Sequence, residues 1–227
     1  NPRVNNMEKE KIAGLLLAGG KSQRFDSEKP KYMFDYKEKP IILDSVTRMT
    51  DVGIEQIYIV VRASYLTEIE KLIRSDSQLE SVIKPVVQYK GFRLVDGLFT
   101  GISALQKESI NPEYIFLMLA DEIILSSREK EAVATAMSKK LDGIVGVYKP
   151  DSEKQIQQTY SVPNDYTPEY IEKPDLPTGT YMGTGNVILR YSSLIDLISR
   201  TNVNELVDIL NLLKHRGARL EHYEVGT

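Results

Sequence analysis

The sequence has no cysteine, no tryptophan and only two histidines in 227 residues. Without cysteine there can be no disulfide, no thiolate zinc site and no cysteine nucleophile, and the chain suits a reducing compartment. His215 and His222 lack partners at metal-ligand spacing and read as ordinary helix-end or surface residues. No apolar run reaches the length of a membrane span, and the polar start up to Lys11 lacks the apolar core of a signal peptide. Charge of one sign is missing too: 29 Lys and Arg against 32 Asp and Glu leave a net −3, so there is no broad basic field for nucleic acid. The tyrosines are scattered and form no stacking platform for single strands. These absences leave a soluble cytoplasmic protein with neither nucleic acid nor membrane as partner. The six residues ahead of Met7 read as an appended remnant, so one domain is expected over residues 7–227.

Apolar periodicity then sets the organisation. Residues 12–17 form a continuous apolar run, as in a parallel strand buried on both faces. Further strands are expected at 56–61, 82–88, 114–120 and 142–147. Helices are expected between them at 41–49, 66–73 and 98–107, and from Ser126, which has capping-box spacing to Glu129, to about Lys140. Residues 149–177 change character, being rich in Pro, Asp, Gln and Tyr, with short strand-like pieces at 157–163 and 170–171. They read as a small substrate lobe inserted at the sheet edge. A strand at 183–189, a helix carrying Leu206, Ile209, Leu210 and Leu213 and stopped by Gly217, and a last strand at 219–225 complete the pattern. The alternation predicts an α/β three-layer sandwich with a Rossmann-like, mostly parallel sheet. Gly19-Gly20, Gln88 and Asp121 all follow strand ends, where open sheets bind their ligands.

The densest signal is the first strand's exit, Leu17-Ala18-Gly19-Gly20-Lys21-Ser22-Gln23-Arg24-Phe25, with Lys29-Pro30-Lys31 just beyond. Glycines admit a phosphate close to backbone N–H groups, and nearby cations neutralise it. A P-loop does not fit, because its first glycine falls on Leu15; a dinucleotide fingerprint lacks its later glycines. An ordinary strand-to-helix turn remains the bland alternative on the glycines alone.

Taken together, Leu17–Phe25, Pro30-Lys31 and Lys39-Pro40-Ile41-Ile42 resemble the N-terminal signature of the nucleotide-diphospho-sugar transferase superfamily. Sugar-1-phosphate nucleotidylyltransferases and molybdenum-cofactor nucleotidylyltransferases belong to it. Leu119-Ala120-Asp121 resembles the motif carrying that family's metal-binding Asp, which implies Mg²⁺ at Asp121. Gln88 and the segment from Asp96 through Gly97 to Ile102 resemble its base-reading stretch, although the gap between Gln88 and Gly97 is longer here. Tyr160-Ser161-Val162 with Ile171-Glu172-Lys173-Pro174 resembles the pair that holds the sugar phosphate, with Ser161 in place of the usual glycine. Thr184-Gly185 resembles the segment lining the sugar pocket. The family's second metal ligand follows the strand matched here by residues 219–225, where the given sequence ends at Thr227.

The resemblance implies transfer of a nucleoside monophosphate from an NTP to a phosphorylated small molecule, a sugar 1-phosphate first among them, with release of pyrophosphate. Leu17, Ala18, Gly19, Gly20, Lys21 and Ser22 would bind the nucleotide, together with Gln88 and Gly97. Arg24, Lys31 and Asp121 would be catalytic; Tyr160, Glu172, Lys173, Thr184 and Gly185 would hold the acceptor. Cytidylyl transfer to a phosphorylated alcohol or phosphonate stays open, as does nucleotidylation of molybdopterin. A catalytically weak nucleotide-binding or regulatory domain is the reading from another class.

Overall fold

The structure, a computed structural model, describes residues 11–20, 29–91, 93–125, 128–151, 159–164, 169–174, 181–198 and 203–226. They fall into two compact units, Asn1–Ile123 and Ile124–Thr227.

The first unit is built on β1 (Ile12–Ala18), buried at all seven positions as its unbroken apolar run requires. A short 3-10 turn at Lys31–Met33 leads into a ribbon of β2 (Asp35–Tyr36) and β3 (Lys39–Pro40). Its turn residues Lys37 and Glu38 take φ of 50° and 66°, values usually reserved for Gly or Asn, so nothing in the sequence signals this hairpin. Helix α1 (Ile41–Asp51) starts directly after Pro40 and turns Ile42, Ser45, Val46 and Met49 inward. Next come β4 (Ile57–Arg62), α2 (Leu66–Arg74) with Ile69 and Ile73 buried, and α3 (Ser77–Val82). The α3 turn was not expected; it is nucleated by Asp76, whose carboxylate accepts from the Gln78 N–H at 2.8 Å. β5 (Ile83–Gln88), α4 (Leu94–Lys107) and β6 (Tyr114–Leu119) complete the unit. Helix α4 begins four residues before the expected 98, which places Gly97 within its first turn rather than ahead of it. The four long strands lie in the order β6-β1-β4-β5, every pair parallel.

The second unit opens with α5 (Glu129–Lys139); the expected start at Ser126 lies outside the described residues. β7 (Gly143–Tyr148) follows, then the two-residue strands β8 (Tyr160–Ser161) and β9 (Ile171–Glu172). β10 (Met182–Arg190), α6 (Tyr191–Ile198), α7 (Leu206–His215) and β11 (Leu220–Glu224) close the chain. β7 pairs antiparallel with β10 and parallel with β11, while β8 bridges β10 and β9, both antiparallel. Helix α6 was not expected, its eight residues being too few to show a period. Gly217 takes φ 80° after α7, the left-handed stop that its position suggested. The α/β class with a mostly parallel sheet is the one the strand–helix alternation predicts.

Gly14 sets how closely α1 lies on β1: a Cβ there would sit 2.8 Å from Met49 Sδ and 3.2 Å from Ile57 Cγ1. Gly14→Val is therefore expected to cost about 2–3 kcal/mol through overpacking, read as a lower urea midpoint. An unchanged midpoint would contradict this packing.

Candidate active site

Strand register in the first unit brings four strand exits to one level. Leu17 lies opposite Leu119 on β6, Ala18 opposite Val61 on β4, and Val61 opposite Val87 on β5. Arg62 lies opposite Gln88, and Gly19 and Asp121 follow one and two residues after β1 and β6 end, so all four sit at the carboxyl ends of the strands. Leu17 and Ala18 themselves are buried strand residues, and the Leu17 carbonyl accepts from the Ala120 N–H at 3.0 Å.

Gly19 and Gly20 differ in what they answer to. A Cβ on Gly19 would fall 2.1 Å from Gln88 Oε1, so the Gln88 amide already covers it. A Cβ on Gly20 would meet nothing within 4 Å among the described residues, and Gly20 is exposed. A side chain at the first glycine would collide with the Gln88 amide, whereas the second has no such neighbour among the described residues. Gln88 is buried; its Nε2 donates to the Lys90 and Gly91 carbonyls at 3.4 and 3.3 Å, which are weak bonds. Gly97 lies beside it, with a Cβ there 3.4 Å from both Gln88 Oε1 and Leu17 Cδ2. Leu17, Gly19, Gln88 and Gly97 thus form one contiguous patch.

Asp96, which opens the stretch resembling the base-reading segment, and Arg62, which no motif marks, both lie beside this patch. The Asp96 carboxylate accepts from the Arg93 N–H at 2.9 Å and binds its guanidinium at 2.9 and 3.2 Å. It also lies so close to Gly91 (φ 72°) that a Cβ there would be 2.2 Å from Asp96 Oδ2. Asp96 therefore ties the turn after β5 to the start of α4, and the Arg93-x-x-Asp96 spacing was the available signal. Arg62 is a strand-end cation that only the register reveals.

Lys31 begins the 3-10 turn after buried Pro30. Neighbouring Tyr32 is buried edge-on against Tyr65, ring centroids 6.5 Å apart, just past the end of β4. Burial pushes the Tyr32 phenol above its ordinary range, helped by Tyr65 and Glu68 and opposed by Arg62. This anchor carries Lys31 to the same end of the strands. Arg24, Lys21 and Ser22 lie outside the described residues.

Asp121 is exposed, in a turn one residue past buried Ala120. No cluster of three or more His, Cys, Asp or Glu exists among the described residues. A single exposed carboxylate still fits Mg²⁺, which commonly takes one or two protein carboxylates and completes its shell with water and substrate phosphate oxygens.

The residues expected to hold the acceptor form a second constellation in the second unit. The Tyr160 hydroxyl donates to the Thr184 carbonyl at 2.8 Å, and its ring lies over Gly183. The Thr184 hydroxyl donates to the Gly146 carbonyl at 3.1 Å and accepts from the Asn186 N–H at 3.1 Å. It seals a bulge in β10 between Gly183 and Val187 that contains buried Gly185. The hydroxyls of Tyr160 and Thr184 are thus spent on the scaffold, and the bulge offers backbone. Within it Asn186 is fully buried, with no hydrogen-bond partner for either amide atom among the described residues. Ser161, where a glycine was expected, is also fully buried.

Glu172 and Lys173 pair with each other at 3.5 Å, both partly exposed, a contact of little energetic weight. Lys173 adopts φ 41°, a left-handed conformation costing a non-glycine residue about 1 kcal/mol. Its N–H donates to the Thr159 carbonyl at 2.8 Å, and the Thr159 hydroxyl donates to the Gly183 carbonyl at 2.7 Å. One line of hydrogen bonds therefore joins Lys173 to the strand bearing Thr184 and Gly185.

Residues 13–221 match the profile of the nucleotidyl transferase family. Among curated relatives, 2-C-methyl-D-erythritol 4-phosphate cytidylyltransferase of Dictyoglomus thermophilum is 29% identical over 66% of this chain and 62% of its own length. The bifunctional protein GlmU of Syntrophomonas wolfei is 31% identical over 56% of this chain and 28% of its own. The chain thus spans less than two thirds of the length of these relatives. A putative glucose-1-phosphate thymidylyltransferase of Bacillus anthracis has a similar fold, with TM-score 0.80 and 21% identity over 94% of this chain and 86% of its own. A UDP-glucose pyrophosphorylase complexed with UDP-glucose gives TM-score 0.74 and 20% identity over 95% of this chain and 90% of its own.

The seat of Tyr160 can be tested directly. A Cβ on Gly183 would lie 2.0 Å from ring carbon Cε2, in a buried place with little room to yield. Gly183→Ala is expected to destabilise the protein by about 1–3 kcal/mol in urea titration. No loss of stability would mean that the ring is not held there.

Proposed function

The chain belongs to the nucleotidyl transferase family, and from that premise we propose that it moves a nucleoside monophosphate from an NTP to a sugar 1-phosphate. An oxygen of the acceptor phosphate attacks the α-phosphorus in line. The new P–O bond forms as the bond to the β-phosphate bridging oxygen breaks, and its electron pair leaves with pyrophosphate. An ionised phosphate is already a nucleophile, so no general base is needed and catalysis rests on positioning and charge neutralisation.

The observation that carries the sugar-phosphate reading is the Glu172-Lys173 pair, tied through Thr159 to the Thr184-Gly185 bulge. A carboxylate accepts from sugar hydroxyls, an ammonium meets a phosphate, and the bulge backbone gives a close, uncharged wall. In the first unit, Gly19 and Gly20 present backbone to the triphosphate, with Lys31, Arg24, Lys21 and Ser22 supplying charge and hydrogen bonds. Gln88 and Gly97 read the base. Asp121 would hold a Mg²⁺ ion, whose charge would offset that of the phosphates. A second reading is cytidylyl transfer to a phosphorylated alcohol, favoured by the 29% identity to a cytidylyltransferase over 66% of the chain.

Crossing four NTPs with glucose 1-phosphate, N-acetylglucosamine 1-phosphate, phosphocholine and a phosphonate in a pyrophosphate-release assay separates these readings. Release with a sugar 1-phosphate is expected; release only with CTP and a phosphorylated alcohol would favour the second reading. Asp121→Ala should lower kcat/KM by on the order of 100-fold or more with the fold intact, because Asp121 is exposed. Undiminished turnover would remove Asp121 from the mechanism. Gly20→Ala should leave the urea midpoint unchanged but raise the KM for NTP about tenfold, since its added methyl enters space left for the phosphates.

A further inference from the structure

The strand that carries Glu172 is only two residues long and cannot hold itself in place. The residue before it, Tyr170, is buried and gripped from two other elements. From α7, the Asn211 side-chain amide makes both bonds that a neighbouring strand would make: its Oδ1 accepts from the Tyr170 N–H and its Nδ2 donates to the Tyr170 carbonyl, each at 2.9 Å. From β11, His222 Nε2 meets the Tyr170 hydroxyl at 3.0 Å with the rings edge-on, centroids 6.0 Å apart. Tyr170 also packs edge-on against Tyr160, centroids 6.1 Å apart, and Tyr160 is the ring seated on Gly183. A weaker exposed contact, His215 with Glu169 at 3.1 Å, adds a further tie to α7.

We propose that Asn211, supported by His222, is a positioning residue for acceptor binding: it locks Tyr170 and so fixes Glu172 and the left-handed Lys173 two and three residues on. The inference rests on the reading that Glu172-Lys173 holds the acceptor. Neither Asn211 nor His222 needs to touch the acceptor. Asn211 supplies the hydrogen bonds that a longer strand would have received from a neighbour, and so replaces ladder length with a side chain. A strained Lys173 persists only where its surroundings over-determine it. Here Tyr170 is held on one side and the Lys173 N–H is held by Thr159 on the other. Burial raises the Tyr170 phenol above its ordinary pKa, so its hydroxyl remains a donor. Desolvation, and then the Lys214 ammonium, lower the His222 pKa, which favours the neutral ring that accepts from it.

The test uses the full chain with Asn211→Ala and, as a milder change that keeps a ring against Tyr170, His222→Phe. Amide hydrogen exchange at Ile171, Glu172 and Lys173 should rise about tenfold in Asn211→Ala and less in His222→Phe, while Ile57 to Arg62 stay unchanged. With glucose 1-phosphate and its preferred NTP, the acceptor KM should rise about five- to tenfold while the NTP KM and kcat stay within about twofold. Unchanged exchange at those three amides would overturn the proposal. So would a parallel rise in the NTP KM, which marks general loosening. If the wild-type protein uses no sugar 1-phosphate with any NTP, the sugar-phosphate reading fails, and the exchange at Ile171 to Lys173 still decides whether Asn211 positions that segment.

Discussion

The register of β1 between two parallel neighbours sets the position of the strand-end groups at the proposed nucleotide end. Parallel strands exit on the same side of a sheet, and the hydrogen-bond ladder prevents any one of them from sliding. Because Leu17 is fixed opposite Leu119 and Ala18 opposite Val61, the glycine turn, Asp121, Arg62 and Gln88 emerge at one level. The buried apolar run of β1 is what secures that register. A slip of one residue would carry Gly14 away from Met49 and Ile57, whose side chains fill the space above it.

The second unit solves a different problem. Its acceptor-like elements come from short strands with little ladder of their own, so side-chain hydroxyls and amides do the holding. Tyr160, Thr184, Thr159 and Asn211 each bond to backbone rather than to one another's side chains. The charged pair Glu172 and Lys173 is left partly exposed and weakly coupled, which keeps both groups available. Rigid scaffold beneath exposed charge is the arrangement that positioning demands, since a group that must meet a ligand cannot also be consumed by the fold.

Much of this could be read in the sequence where the local pattern and the tertiary result agree. The strand exits at Gly19, Gln88 and Asp121 were visible because apolar runs end abruptly there, and Leu17, Gly19, Gln88 and Gly97 do come together. The reading was incomplete where a side chain's role depends on a distant partner. Tyr160 and Thr184 look like ligand contacts in a motif, yet their hydroxyls close a bulge. His222 looks like a surface histidine, and it does reach the surface, but Nε2 is bonded to a tyrosine fifty-two residues earlier.

The sequence by itself determined the alternation of strand and helix, the central buried strand and the residue types at its exit, because apolar periodicity and glycine chemistry are local properties. Tertiary structure alone decided that Arg62 shares a level with Gly19, that the Gln88 amide lies against Gly19, and that Asn211 completes a two-residue strand. Those facts depend on pairing register and on contacts between residues far apart in the chain. Register is set by the whole set of hydrogen bonds and buried faces acting together, which no window of sequence contains.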